Sequence, residues 1–362
     1  MNSCPPGRRK FFRKLASLTC AGIMPAHVLE ALYDATGHGN ISDNHMGSQN
    51  SSKTAAFEPG YLELHRRGEL RVRAEILWEM MSTCRLCPRE CEQDRLRGQK
   101  GDYCNATSQL QVSSYNPHFG EERPLVGRNG SGTIFFTNCA LLCVFCINWE
   151  ISQGGAGRNV NIRRLANMML ELQRIGCHNI NVVTPTHYAP HILFALDDAA
   201  SRGLKLPVAY NTSGYERLEI LHLLDGVIDI YLADFKYFDA GMADKYSPGA
   251  ESYPEMARTA VIEMNRQVGV ADPSANRGIL QKGLIIRHLV MPNNVGGTGD
   301  LMKWIAANLP LNTYINLMSQ YTPYFKAHEY PEIARRLTVG EYQNAVRAAY
   351  AAGLTNLDIQ GA

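Results

Sequence analysis

Gly130-Ser-Gly-Thr-Ile-Phe-Phe-Thr137-Asn-Cys139-Ala-Leu-Leu-Cys143-Val-Phe145-Cys146-Ile-Asn148 joins two signals in one run. Residues 133–137 are apolar and β-branched, the composition of a buried strand, and they pass directly into three cysteines spaced C-x3-C-x2-C. A closed zinc site takes four ligands, usually as two C-x2-C pairs, so a lone triplet suits it poorly. A cubane 4Fe-4S cluster takes one thiolate per iron, and three thiolates leave its fourth iron open to chemistry.

Outward from this run, strand and helix signals alternate. Further strand-like runs stand at 180–184, 207–212, 228–234, 284–292 and 314–321. Between them, Leu165, Met168, Met169 and Leu172 recur at i, i+3, i+4 and i+7, one face of a helix, and similar patterns cover 192–200, 218–224, 256–268 and 301–309, with a last helix at 341–352. Parallel neighbours need long right-handed crossovers, so the pattern predicts an α/β fold. Six units rather than eight point to an open, partial (β/α)6 barrel over 130–362, preceded by a small Cys-rich N-terminal module at 61–129. Active residues of such barrels gather at the C-terminal ends of the strands. His187 and His191 are four apart but have no evident third ligand, and solvent exposure or helix capping is expected of them. The turns at 154–157 and 296–299 read as loop punctuation rather than phosphate loops.

The chain of 362 residues carries a net charge of +2 and no basic stripe interleaved with aromatics, which argues against nucleic-acid binding. No apolar run reaches membrane-spanning length. Of the ten cysteines, seven fall into two tight groups with metal-type spacing. The second group, Cys84, Cys87, Cys91 and Cys104, offers four thiolates, whose spacing alone does not separate an iron-sulfur cluster, the favoured reading, from zinc. Cys177 reads as a packed small hydrophobe.

From Tyr61 onward the chain resembles the branch of radical S-adenosylmethionine (SAM) proteins related to the pyruvate formate-lyase activating enzyme. The resemblance is carried by the triplet, by Cys-Arg-Leu-Cys-Pro-Arg-Glu-Cys from Cys84, by 130–136, and by Asn179-Ile-Asn-Val-Val-Thr184-Pro-Thr186-His187. It continues through Asn211-Thr-Ser213-Gly-Tyr215, Asp229-Ile-Tyr-Leu-Ala-Asp234-Phe-Lys236-Tyr237, Arg287-His-Leu-Val290 and Met318-Ser-Gln-Tyr321. It implies the partial barrel, a 4Fe-4S cluster on Cys139, Cys143 and Cys146, and SAM chelated to the open iron and cleaved reductively to a 5'-deoxyadenosyl radical. Phe145 stands where the family places an aromatic near the adenine, and Asn148 follows the last cysteine as in activating enzymes.

A SAM pocket needs cations, hydroxyl or carbonyl acceptors, and flat apolar walls, and the strand ends offer them. Thr184 and Thr186 are expected to meet the amine, Asn211 and Ser213 the ribose, while Asp234 and Lys236 share one side of a strand and Arg287 stands on the next. The chain departs from activating enzymes where they carry Gly-Gly-Glu and it has Thr184-Pro185-Thr186, where they have Asp and it has Asn211, and near Tyr321, where they have His. The resemblance implies hydrogen abstraction from a protein glycine, as in activation of a glycyl radical enzyme, or from another substrate, with a low-potential donor such as flavodoxin or ferredoxin. Alternative readings are a radical SAM methyltransferase or maturase, and a non-enzymatic iron-sulfur electron carrier.

Location is read two ways. Arg8 and Arg9 followed by the weakly apolar 15–24 resemble a twin-arginine export leader at 1–33, with a flexible Gly, Ser and Asn-rich linker at 34–60. SAM and low-potential electrons are supplied in the cytoplasm, which is the expected location if the basic start is only the beginning of a helix.

Overall fold

A computed structural model describes residues 57–359. The leader, most of the linker, Cys4 and Cys20 lie outside the described residues.

With β1 at Gln111–His118, β2 at Ser131–Phe136, β3 at Arg158–Asn159, β4 at Ile180–Val183, β5 at Val208–Thr212, β6 at Ile230–Asp234, β7 at Gly283–Leu289, β8 at Tyr314–Met318 and β9 at Leu357–Ile359, the sheet runs in the order β3-β1-β2-β4-β5-β6-β7-β8-β9. Its centre is the expected parallel set: β2 (Ser131–Phe136), β4 (Ile180–Val183), β5 (Val208–Thr212), β6 (Ile230–Asp234), β7 (Gly283–Leu289) and β8 (Tyr314–Met318). Every neighbouring pair within it is parallel. Ile134, Val182, Tyr210, Tyr231 and Ile286 are fully buried, as strands covered on both faces require. The connecting helix Ile162–Ile175 turns Leu165, Met168, Met169 and Leu172 into this core. Asn161 caps its start by accepting from the Arg164 N–H.

Three strands were not expected. β1 (Gln111–His118) pairs antiparallel with β2 on one side and with β3 (Arg158–Asn159) on the other, while β9 (Leu357–Ile359) extends the far edge. β1 carries polar residues and Pro117, and β3 and β9 are two and three residues long, so none presents the continuous apolar run of a central strand. Because β1 runs against β2, the connection between them lies at the N-terminal mouth of the parallel strands, and its Glu121 and Glu122 reach the strand residues Asn211 and Asn316. The helices Gly60–Arg66 and Glu69–Glu79 pack on the helix Ala189–Ser201, tied by His65 to Asp197 at 2.7 Å and by the Tyr61 hydroxyl donating to the Leu206 carbonyl at 3.1 Å.

No helix among the described residues is long and apolar enough to cross a membrane.

Candidate active site

The cysteine triplet leaves the C-terminal end of β2 in a loop with two left-handed residues, Asn138 (φ 72°) and Leu142 (φ 61°). Neighbours fix the loop from several sides. The Asn138 amide donates to the Tyr188 hydroxyl at 3.2 Å, the Val144 N–H donates to the Tyr246 carbonyl at 2.9 Å, and the Val144 carbonyl accepts from the Lys326 N–H at 2.9 Å. Cys143 is buried, and its sulfur accepts from the Ser247 hydroxyl at 3.3 Å. Cys146 Sγ lies 3.2 Å from Ser152 Oγ. Burial pushes the Cys139 thiol up to about 12 and also raises Cys143, although Lys236 and Ser247 pull the latter back. Cys139 and Cys143 therefore hold their protons until a metal displaces them.

Beside Cys143 begins a connected set of buried charges. Lys236 Nζ donates to Asp234 Oδ2 at 2.5 Å, Arg287 Nε donates to Asp234 Oδ1 at 2.7 Å, and Arg287 Nη2 donates to Asn211 Oδ1 at 2.6 Å. Burial opposes the Asp234 charge, but Arg287 and Lys236 outweigh it and hold the carboxyl below its ordinary value. Burial likewise opposes the Lys236 charge, and Asp234 and Cys143 keep its pKa above the usual lysine value. At the other end Asn211 Nδ2 donates to Glu121 Oε1 at 3.3 Å, and Arg287 Nη1 lies 3.4 Å from Glu121 Oε2. Burial raises Glu121 to about 7 against the opposing charge of Arg287, with Glu122 and Asp234 adding to the rise.

The expected residues divide accordingly. Asn211, Asp234, Lys236 and Arg287 form one linked group reaching Cys143. Phe145 is buried with its ring edge-on to Tyr237 and Tyr321, at 6.3 and 5.9 Å. Ser213 is buried, and its carbonyl accepts from the Tyr253 hydroxyl at 2.9 Å. The Thr186 hydroxyl donates to Glu216 Oε1 at 2.6 Å. Thr184 follows β4 half-buried, and Asn148 is exposed, its carbonyl accepting from the N–H groups of Ile151 and Ser152.

The expectation of exposed or capping histidines is overturned. His187 and His191 are buried, and each ring donates through Nε2 to a carbonyl 2.8 Å away, Thr137 and Ser108 respectively. Burial lowers them to about 3 and 4, so both rings are neutral. The Trp78 ring, 4.9 Å from His191, reaches it from the helix Glu69–Glu79.

Several participants escaped the sequence reading. Glu121 and Glu122 come from a connection without periodicity. Glu216 is fully buried two residues after Gly214, accepts from both Thr186 and Thr212, and is raised to about 7 by burial. Asn316 carried a legible signal, a polar side chain between Ile315 and Leu317 in an apolar run.

The radical SAM superfamily profile matches residues 133–261, from within β2 to the middle of the helix Tyr253–Val268. An uncharacterised protein of Methanocaldococcus jannaschii is 32% identical over 302 residues, covering 81% of this chain and 82% of the relative. The chain belongs to the radical SAM superfamily. A radical SAM enzyme works with a 4Fe-4S cluster and SAM, and the residues present fit both. Three thiols stand in one braced loop, an ammonium lies beside Cys143, and Gly214 makes room at the strand ends. A Cβ on Gly214, whose φ is +79°, would stand 2.0 Å from the Asp234 carbonyl oxygen.

Proposed function

We propose that Cys139, Cys143 and Cys146 hold the cluster and that the radical SAM enzyme abstracts hydrogen from a residue of a partner protein, a glycine in the activating-enzyme manner. The cluster and SAM, when bound, supply the carbon-centred radical that takes the hydrogen atom. Within this reading Lys236 and Arg287 offer cations to the SAM carboxylate, with Asp234 setting their positions. With SAM bound, the Ser213 segment and the Asn211 amide would meet the ribose, Thr184 and Thr186 the amine, and Phe145 would wall the adenine.

The observation that carries the protein-substrate reading is the surface beside the triplet. Ile147 directly follows Cys146 and is 64% exposed, and the exposed Trp149 stacks on Phe325 with ring centroids 5.1 Å apart beside the exposed Tyr324. Exposed apolar side chains clustered beside a reactive centre suit docking of a macromolecule better than enclosure of a small polar substrate. The methyltransferase reading has less support. Cys177, the spare cysteine of the barrel, is buried just before β4, at the mouth opposite the triplet.

Anaerobic reconstitution and reduction with SAM tests the reading in two steps. Wild type should form 5'-deoxyadenosine and Cys143→Ala should not. With protein extract from the native host grown on deuterated glycine, deuterium should enter the 5'-deoxyadenosine. Cleavage without label from glycine, but with label from another deuterated amino acid, would replace the glycine assignment.

A further inference from the structure

Cys84, Cys87, Cys91 and Cys104 remain outside this chemistry, and the segment that carries them is built for thiolates. The backbone N–H groups of Leu86, Arg89, Gln93 and Ala106 each bond to the sulfur two residues earlier, so all four cysteines have a fixed amide donor. Left-handed Glu90 (φ 39°), Glu92 (φ 56°) and Asn105 (φ 57°) bend the chain to allow this. Gly101 leaves the space two of the sulfurs use: a Cβ there would stand 2.6 Å from Cys104 Sγ and 3.7 Å from Cys91 Sγ.

Arg95 is an independent sign of negative charge at this place. It is fully buried, and among the described residues no carboxylate pairs with it. Its guanidinium donates to the carbonyls of Thr107 and His187, each at 2.9 Å, and points Nη1 at Cys84 Sγ 3.7 Å away, while Nε has no partner. A buried cation without a counter-charge is costly, and a thiolate at Cys84 is the nearest group that can supply one. Four thiolates around a zinc ion or a 4Fe-4S cluster form a net anion that does.

The same segment grips the radical SAM loop. Arg89, two residues after Cys87, donates through Nε to the Ala140 carbonyl at 2.9 Å and through Nη2 to the carbonyls of Leu141 at 3.2 Å and Pro248 at 2.9 Å. Its guanidinium lies 4.1 Å over the Tyr103 ring, next to Cys104. Ala140 and Leu141 are two of the three residues between the first two triplet cysteines.

We propose that Cys84, Cys87, Cys91 and Cys104 bind a second, four-thiolate metal centre that balances Arg95 and locks Arg89 onto the triplet loop. Arg89 is a positioning residue for that loop. The centre is read without SAM chemistry, so its failure and that of the proposed function are separable.

The test starts from the full chain with all three triplet cysteines changed to Ala, purified anaerobically and reconstituted with iron, sulfide and zinc. It should retain about one zinc, or about four iron with sulfide, per chain, and adding Cys87→Ala should abolish this. Metal analysis with Mössbauer spectra distinguishes zinc from cluster, and either supports the site. A triplet-free protein that stays below about a tenth of one metal per chain overturns it. With the triplet intact, Arg89→Ala should keep the second centre but lose triplet iron to a chelator about tenfold faster than wild type, the size expected for lost bonds from a charged donor. An unchanged rate of iron loss overturns the locking role.

Discussion

At the scale of single residues the site is organised by Asp234, one carboxylate shared between two buried cations. Removing its charge strands Lys236 and Arg287 together, and breaking a buried ionic group from one side costs about 3–5 kcal/mol. Asp234→Asn is therefore expected to lower unfolding free energy by about 3 kcal/mol in anaerobic urea titrations and to abolish SAM cleavage. Replacing Arg287 by Lys would not rescue it, because a single ammonium cannot reach Asp234 and Asn211 as the guanidinium fork does. Glu121 gives the opposite case. Its folded pKa is raised from 4.5 to about 7 by burial, with Arg287 opposing and Glu122 and Asp234 adding to the shift. The folded state therefore favours the protonated form: stability is fully present below about 4.5 and is lost as pH rises through about 7. Glu121→Gln, which cannot ionise, should flatten that decline between about pH 5 and about pH 8 by on the order of 1–3 kcal/mol, read from urea midpoints at the two pH values.

At the scale of elements, the strand ends and helix caps carry the precision of the site. Gly214 ends the turn after β5 in a left-handed conformation against the Asp234 carbonyl, so Gly214→Ala must displace β6 where it presents Asp234. The expected result is loss of SAM binding with the triplet still able to load iron, checked by the cluster's EPR signal with and without SAM. The helix Val339–Ala351 offers a control away from the chemistry. Its Thr338 and Glu341 form a reciprocal capping box, and Thr338→Ala should cost about 1 kcal/mol in thermal or urea unfolding while SAM cleavage is unchanged. Elements of this kind were legible because their signals are local. The triplet, the six central strands and the Leu165 to Leu172 stripe follow from spacing and apolar period, and Asp234 and Lys236 could be paired from strand alternation alone. What was illegible depends on long-range closure. Arg287 meets Glu121 across 166 positions, Asn316 meets Glu122 across 194, and buried His187 is set by its carbonyl partner Thr137 fifty positions earlier. None of these partners shares a period with its mate, so only the folded sheet brings them together.

At the scale of the whole molecule the two mouths of the sheet are unequal. The N-terminal mouth is reached by the β1–β2 connection through Glu121 and Glu122, and buried polar bonds hold it. The C-terminal mouth carries the triplet, whose Ala140 carbonyl is held by Arg89 and beside which Ile147, Trp149 and Tyr324 are exposed. A protein substrate would thus arrive at the apolar side, and its docking can be separated from the chemistry because Tyr324 lies outside the charged set around Asp234. Tyr324→Asp places a charge in a face that must be desolvated on docking, a change that costs on the order of 1.4 kcal/mol or more, about tenfold in association. Deuterium transfer from glycine-labelled native protein extract into 5'-deoxyadenosine should therefore fall about tenfold, while uncoupled cleavage driven by dithionite stays within about twofold of wild type. Equal loss of both activities would mean that residue 324 shapes the cluster loop, through the Lys326 N–H bond to Val144 two residues on, and that the docking face lies elsewhere.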